Sequence, residues 1–365
     1  MSMQLARELV MRHGWNSTVY QILNPGFEHW WPVGGQGVVG FVRPKNALGG
    51  AWVAAGAPVC ERRLLTGMVR EFEDAAAEES RRVCYFCAGS RMLEVVEDGS
   101  RHAVVGIGAQ PVWDPREWPE IVQTKSGVRA QLNRARNKGV RVSRWSPKIA
   151  REDVDVRRCL KSWIDSRPMP ALRFMVDPHV LEGVLEDRVV LVAQRQSEGA
   201  EHEPEVVGFL VASPVPQRNG YLVEQIVRAP WAPNGTAELL IDAAMRELAD
   251  RGSTHVTLGL VALAERAREL IAENPLWLRV LMGWARAHGR RFYHFDGLEA
   301  FRAKLQPMMW EPVYAIANEP RFSMRTLYAV AQAFCVGSPL NTLGVALGRA
   351  IRQEGAWARD LMKRR

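Results

Sequence analysis

A strand-like run, 220–227, leads into Ala229-Pro-Trp-Ala-Pro-Asn-Gly235 and then into a stretch of helical periodicity, Thr236 to Arg251. Two prolines and an Asn-Gly pair cannot continue a strand or a helix. The chain therefore passes between the two through an irregular turn, with Asn234 or Thr236 as the expected N-cap. A strand feeding a helix N-terminus is the building unit of an α/β layer. The free N–H groups of the first helical turn and the positive end of the helix dipole also make such a corner face anions.

Strand- and helix-like segments alternate on both sides of this junction. The chain opens with a helix and an irregular lead-in around Asn24-Pro-Gly26. Strands follow at 37–42, 51–55, 83–87 and 103–107, with a helix over 61–80 whose Leu64, Leu65, Met68 and Phe72 share a face. Gly56-Ala-Pro58 closes the second of these strands. A basic segment, Lys125 to Lys138, has helical spacing and stops at Gly139 before a short strand over 140–142. A similar order returns after about residue 150. Helices are expected over 154–164 and 178–186, and strands over 189–194, 206–213 and 220–227. After the junction helix come a strand over 254–260, a helix over 276–288 and a closing strand over 313–317. The layout predicts two tandem acyltransferase-type α/β units: a lead-in over 1–35, a first unit over 36–148, a second, catalytic unit over 149–320, and a basic amphipathic helical segment over 321–365.

The formal charge of +8 suits an anionic partner, either nucleic acid or an acidic lipid surface. Five cysteines in 365 residues do not make a disulfide framework. Cys84 and Cys87 form a lone C-x-x-C in a β-favouring context and read as part of a strand, with no second pair to complete a zinc site. The histidines show no metal spacing, no metal is expected, and His294 is read as structural. The first ten residues lack the apolar core of a signal peptide, which fits a reducing cytoplasm. An uncharged stretch over 326–348 is interrupted by Gln332, Ser338, Pro339 and Asn341, so an amphipathic hairpin is expected in place of a membrane span. Its apolar residues (Leu327, Val330, Phe334, Leu340, Leu343, Leu347, Ile351) precede a basic end at Arg352, Arg359 and Lys363 to Arg365. Together they predict peripheral binding at the inner face of an anionic membrane.

In acetyltransferases of the GNAT superfamily, a junction like that at 228–238 holds the pyrophosphate of coenzyme A on a Gly-rich turn. Here two prolines remove N–H donors, so the topology points to acyl transfer and the turn points away from coenzyme A. Arg228, Ala232-Pro-Asn-Gly235 and Glu238 resemble the arginine and A-P-N-G segment of the phosphatidylglycerol lysyltransferase family, the catalytic domain of the multiple peptide resistance factor. Gly56-Ala-Pro58 is similar to that family's G-x-P turn. Lys125-Ser-Gly-Val-Arg129-Ala-Gln-Leu-Asn-Arg134-Ala-Arg-Asn-Lys138-Gly is similar to its basic helix. Phe295-Asp-Gly-Leu-Glu-Ala-Phe-Arg302-Ala-Lys304-Leu, then Pro307 and Trp310-Glu-Pro-Val-Tyr314, resemble its closing motif. The four segments follow in the family's order over roughly residues 36–318.

The resemblance implies a dual GNAT-like fold with a tunnel joining a tRNA side to a lipid side. It also implies transfer of an aminoacyl group from aminoacyl-tRNA to a lipid hydroxyl such as that of phosphatidylglycerol, without a cofactor. Lys304 matches a family lysine suited to stabilising an oxyanion. Arg228 matches an arginine suited to a phosphate. Glu224 stands four positions before Arg228, while the family's acid aligns with Gln225, so Glu224 takes that place only through a bulge. Asn234, Gly235, Glu238, Arg129, Arg134 and Tyr314 are the implied substrate contacts.

Each has a plainer reading. Lys304 and the basic helix can be solvated faces, Arg228 a strand-end ion pair, and Glu238 a complement to the helix dipole. The competing functions are an acyl-CoA-dependent N-acyltransferase, which the Pro-Asn-Gly turn disfavours, and a non-catalytic RNA- or membrane-binding module. The family's membrane-bound members carry many N-terminal transmembrane helices; none is read here, which predicts a free-standing member.

Overall fold

The protein is described by a computed structural model over residues 2–44, 50–96, 101–167, 172–196, 204–288 and 295–335, with isolated positions up to 344. Its strands are β1 (Glu28–Trp30), β2 (Gly37–Val42), β3 (Ala51–Ala55), β4 (Val59–Cys60), β5 (Arg82–Ala88), β6 (Ala103–Trp113), β7 (Val140–Trp145), β8 (Val189–Arg195), β9 (Glu205–Val215), β10 (Gly220–Arg228), β11 (His255–Thr257), β12 (Val261–Ala262) and β13 (Met309–Ala317). All belong to one sheet, ordered β1-β2-β3-β5-β13-β6-β11-β10-β9-β8-β7, with β4 beside β2 and β12 beside β6. The helices of ten residues or more among the described residues are α1 (Met3–His13), α2 (Leu65–Glu78), α3 (Ser126–Asn137), α4 (Val154–Asp165), α5 (Thr236–Asp250), α6 (Leu276–His288), α7 (Phe295–Lys304) and α8 (Met324–Phe334).

The sheet repeats one pattern twice. β1, β2 and β3 run antiparallel, β3 and β5 are parallel across α2, and β13 closes antiparallel on β5. In the same way β8, β9 and β10 run antiparallel, β10 and β11 are parallel across α5, and β6 closes antiparallel on β11. A parallel pair needs a long crossover, and a helix supplies it in each half. β13 was expected to complete the second unit. It lies instead between β5 and β6 and pairs with β6 from Met309↔Val112 to Ala317↔Ala103. Each half thus takes its closing strand from the other part of the chain, and these two strands pair with each other.

Burial on both faces explains the apolar strands. β9 is buried from Val206 to Val215, and β10, α3, α4 and α5 share its core through Val227, Leu132, Cys159 and Leu240. In the other half, α2 lays Leu65, Met68, Val69 and Phe72 on one face of β2, β3 and β5. Ile22, Leu23, Ala329 and Val330 belong to the core on the other face.

Several elements depart from their sequence reading. The helix over 178–186 shrinks to one 3-10 turn, Val180–Glu182. The helix over 61–80 begins with a 3-10 turn, Arg62–Leu64, before α2. The strand over 254–260 is only His255–Thr257 and is followed by Gly259 at φ +73°. Cys84 and Cys87 lie in β5 as expected, both buried, with burial pushing both thiols up. Of the residues read as a membrane-facing stripe, Val330 lies in the core around β3, β5 and the lead-in, and Leu327 and Phe334, half-buried, pack against it. They are spent on the protein itself. Leu340, Leu343, Leu347, Ile351 and the basic end lie outside the described residues, as does His294. No helix among the described residues is long and apolar enough to cross a membrane.

Candidate active site

β10 ends at Arg228, and the turn that follows is pinned from both sides. Ala229 N–H donates to Val207 O (3.0 Å), and Thr236 Oγ1 donates to Pro233 O (2.7 Å). Gly235 occupies the N-cap of α5 at φ +93°, in place of the Asn234 or Thr236 cap expected from the sequence. Glycine adopts this left-handed conformation without a Cβ penalty. There is no room for a side chain either: a Cβ on Gly235 would stand 2.1 Å from Gln131 O of α3. The turn therefore sits directly on the basic helix. No side chain caps α5; the Thr236 N–H is taken by Pro233 O (3.3 Å), so the next first-turn amides and the helix dipole are what this end offers a ligand.

Five of the residues singled out in the sequence converge here. Lys304, at the end of α7, donates to Glu238 Oε1 in the first turn of α5 at 2.9 Å. Lys304 stays partly exposed while Glu238 is mostly enclosed, at 40% and 12% side-chain exposure. Phe301 and Leu305 bury that end of α7 in the neighbouring core, and Leu305 O accepts from Trp113 Nε1 (2.9 Å). Arg228 reaches Asn234 Oδ1 at 3.4 Å, a long contact that leaves its guanidinium largely in solvent. Beside the turn, Arg136, Lys138, Arg195, Trp231 and Asn234 line an open cleft of about 780 Å³.

The basic helix divides its cations. Arg129 donates to Val122 O (3.1 Å) and Gln123 O and so caps the preceding helix end. Arg136 pairs with buried Asp242 at 2.9 Å. Arg134 is exposed and has no ion pair or hydrogen bond among the described residues. The sequence from Ile121 to Arg151 contains no acidic residue at all, so its charge is offset only by carboxylates from elsewhere, such as Asp242 on Arg136 and Glu247 on Arg144.

Glu224 does not join this corner. The register of β10 against β9 slips between Val223 and Gln225, so a bulge at Glu224 is present, as the motif match required. Its carboxylate accepts from Asn24 Nδ2 (2.7 Å), Gln21 Nε2 (3.3 Å), Ser213 Oγ and Arg188 Nη2 (3.1 Å). The Arg188 and Glu224 side chains are 0% and 3% exposed. Arg188 also donates to Ser213 Oγ (3.0 Å) and Val180 O (2.6 Å). This buried, fully hydrogen-bonded pair was not legible in the sequence: Arg188 and Glu224 are 36 residues apart, and Asn24, whose Oδ1 accepts from Arg188, is 164 residues from it. Gln21 and Gln225 tie the network to Met175 O (2.9 Å) and Pro178 O (2.7 Å). The loop so held lines a second cleft of about 870 Å³ with Phe174, Asp177 and His179.

Tyr314 is likewise elsewhere, buried with Phe72 and Tyr85 in the first-half core, where burial and then Glu273 push its phenol up. Among the described residues no group of His, Cys, Asp and Glu could hold a metal.

The sequence model of the family described as phosphatidylglycerol lysyltransferase, C-terminal, matches residues 7–317. The chain belongs to that family. No curated protein matches it. Among solved structures it is similar to the C-terminal domain of a protein from Agrobacterium fabrum assigned as a lysylphosphatidylglycerol synthetase (TM-score 0.69, 19% identity, 92% of this chain and 97% of that one). It is also similar to L-PGS from Bacillus licheniformis (0.68, 16%, 90% and 96%) and to FemX (0.54, 10%, 91% and 98%). At such identities the shared property is the fold. The family member thus has the two-unit GNAT-like α/β fold expected from its sequence.

Proposed function

We propose that this chain transfers an aminoacyl group from aminoacyl-tRNA to a lipid hydroxyl, with phosphatidylglycerol as the leading acceptor, at the inner face of a membrane. Family membership supports the reaction class, since the family is named for lysyl transfer to phosphatidylglycerol. The observation that carries the reading is the uncapped N-terminus of α5 with Lys304 held over its first turn by Glu238, packed on an acid-free basic helix.

The lipid hydroxyl oxygen bonds to the aminoacyl carbonyl carbon, the bond to the tRNA 3′-oxygen breaks, and the hydroxyl proton ends on that oxygen. Between the two, negative charge sits on the carbonyl oxygen. The Lys304 ammonium and the α5 amides are suited to meet it, and the Glu238 carboxylate holds the ammonium in place by its hydrogen bond. Arg228 and Arg134, both open to solvent, suit phosphate contacts with tRNA or lipid. Glu224 acts through position: with Arg188 it fixes the bulge four residues before Arg228. No cofactor or metal is assigned a step.

The test is a reconstituted assay with charged tRNA and phosphatidylglycerol vesicles, followed by mass spectrometry of the lipid. Aminoacylated lipid should form, RNase should abolish it, and acetyl-CoA should not replace the charged tRNA. Acyl transfer from acetyl-CoA without RNA would overturn the reading.

A further inference from the structure

The helix α6 turns an apolar face outward while being firmly held on the other side. Leu278 is 2% exposed in the core, and Trp277 and Met282 pack beside it. Just ahead of the helix, Asn274 clamps β6 with two bonds to Gly106, each 2.8 Å, one to its N–H and one to its carbonyl. At its far end Arg286 donates to Leu263 O (2.6 Å) and Asp296 (2.9 Å). A helix anchored in this way has a fixed outer face. That face carries Leu276, Val280 and Trp284, spaced four apart and 70%, 65% and 61% exposed, with Leu281 beside them.

Exposed leucines and valines scattered singly are ordinary, but a contiguous stripe ending in tryptophan on one helix is not. Arg279 is exposed next to Val280, and the helix contains no acidic residue. Large apolar side chains beside an arginine, with tryptophan among them, are the composition of helices lying in a bilayer interface, where the indole sits at headgroup level. An acidic protein partner would match Arg279 but leave the apolar stripe in water; an anionic lipid surface matches both.

We propose that α6 is the membrane-docking element of this protein, lying along an anionic bilayer with Leu276, Val280 and Trp284 in the headgroup–acyl boundary. The choice of a bilayer over a second copy of the chain rests on the lipid-acceptor reading above. Of the C-terminal stripe, Leu327, Val330 and Phe334 pack in or against the core, whereas the apolar face of α6 is exposed.

The experiment is flotation of the full chain with vesicles of phosphatidylcholine containing one quarter phosphatidylglycerol. The doubly substituted Val280→Glu/Trp284→Glu chain should lose at least about tenfold in bound fraction at an unchanged melting temperature, since charged groups replace the inserted ones. A second chain with Arg279→Glu alone should lose binding to anionic vesicles more mildly, and salt should weaken the parent in the same way. Transfer to short-chain phosphatidylglycerol dispersed as monomers should survive in both chains, so a failure of docking and a failure of the lipid-acceptor reading are separable. Undiminished flotation of the Val280→Glu/Trp284→Glu chain would overturn the proposal. So would a parent dimer that these two substitutions convert to a monomer.

Discussion

The two crossover corners of the sheet are built alike and used differently. In the first half, β3 runs into Gly56-Ala-Pro58 and, through β4, into α2. In the second, β10 runs into 229–235 and α5. Each turn has a glycine in the left-handed region, Gly56 at +71° and Gly235 at +93°, and each glycine faces a surface that no Cβ could share. What they face is the difference. Gly56 abuts Asn16 of the lead-in, which fills the notch between the parallel strands: Nδ2 donates to Cys87 O (3.0 Å) and Thr18 Oγ1 (2.6 Å), and Oδ1 accepts from Gly89 N–H (2.9 Å). The Gly56 N–H is itself spent on Phe86 O. Gly235 abuts the backbone of a basic helix, and its corner ends in an uncapped helix with a paired lysine above it. Duplication supplied two equivalent notches. One is plugged by neutral hydrogen bonds and serves stability, while the other is left polar and open.

The largest expected effect sets the neutral plug of the first corner against the buried Arg188–Glu224 pair, which lies outside both corners. Glu224→Ala strands the Arg188 charge in the interior and should lower unfolding free energy by about 3–5 kcal/mol. Asn16→Ala orphans neutral backbone groups and should cost about 1–3 kcal/mol. Denaturant titration of both chains measures the pair, and equal losses would mean that the buried ion pair holds the fold no more tightly than the neutral plug of the first corner.

Turnover should separate the corners next. Lys304→Ala should slow transfer roughly a hundredfold, about 3 kcal/mol of lost charge stabilisation, with little change in melting temperature. Arg62, which pairs with Glu94 on the surface near the first corner, should be replaceable by Ala at no cost in rate. A rate unaffected by Lys304→Ala, or a matching loss at Arg62, would mean that the second corner is not the reactive one.

The seam between the halves should respond to acid. His255 of β11 is buried with Nε2 unpartnered among the described residues, and burial, aided by the Arg218 guanidinium, pushes it down to about 4. Burial alone would raise Glu311, but its bonds from Arg218 and from Gln110 (2.9 Å) outweigh that and hold it low. Both shifts have the same sign. The unfolded chain binds protons that the native chain refuses, so stability is full above about pH 6.5 and declines towards pH 4, by about 2 kcal/mol at pH 5 from His255 alone. Melting temperatures from pH 7 to 5 measure the decline, and His255→Asn should flatten it. An unchanged slope in that chain would assign the acid sensitivity to other groups.

The parts legible in the sequence were those whose cause is local. The proline-bounded turn, the helical spacing of Lys125 to Lys138 and the alternation of β5 all act within a few residues, and the corner holding Lys304, Glu238, Arg228 and Asn234 followed from them. The bulge at Glu224 was foreshadowed by a one-residue offset. What stayed hidden depends on distance. Nothing near Met309–Ala317 marks it as a strand that inserts between β5 and β6, because a strand buried on both faces reads the same wherever it pairs. Asn24, read only as part of an irregular lead-in, and Gln21 and Arg188, which no motif singled out, meet on one carboxylate only in the fold.

The placement of β13 also sets a timetable for synthesis. β6 is complete when residue 113 has been made, yet the strand that separates it from β5 begins only at residue 309. At about 5–20 residues per second, a ribosome needs on the order of ten to forty seconds to cover that gap. Throughout it the inner edges of β5 and β6 wait without the neighbour they share, as open templates for any other extended chain. The nascent protein therefore cannot finish its first half until the strands of the second have been made.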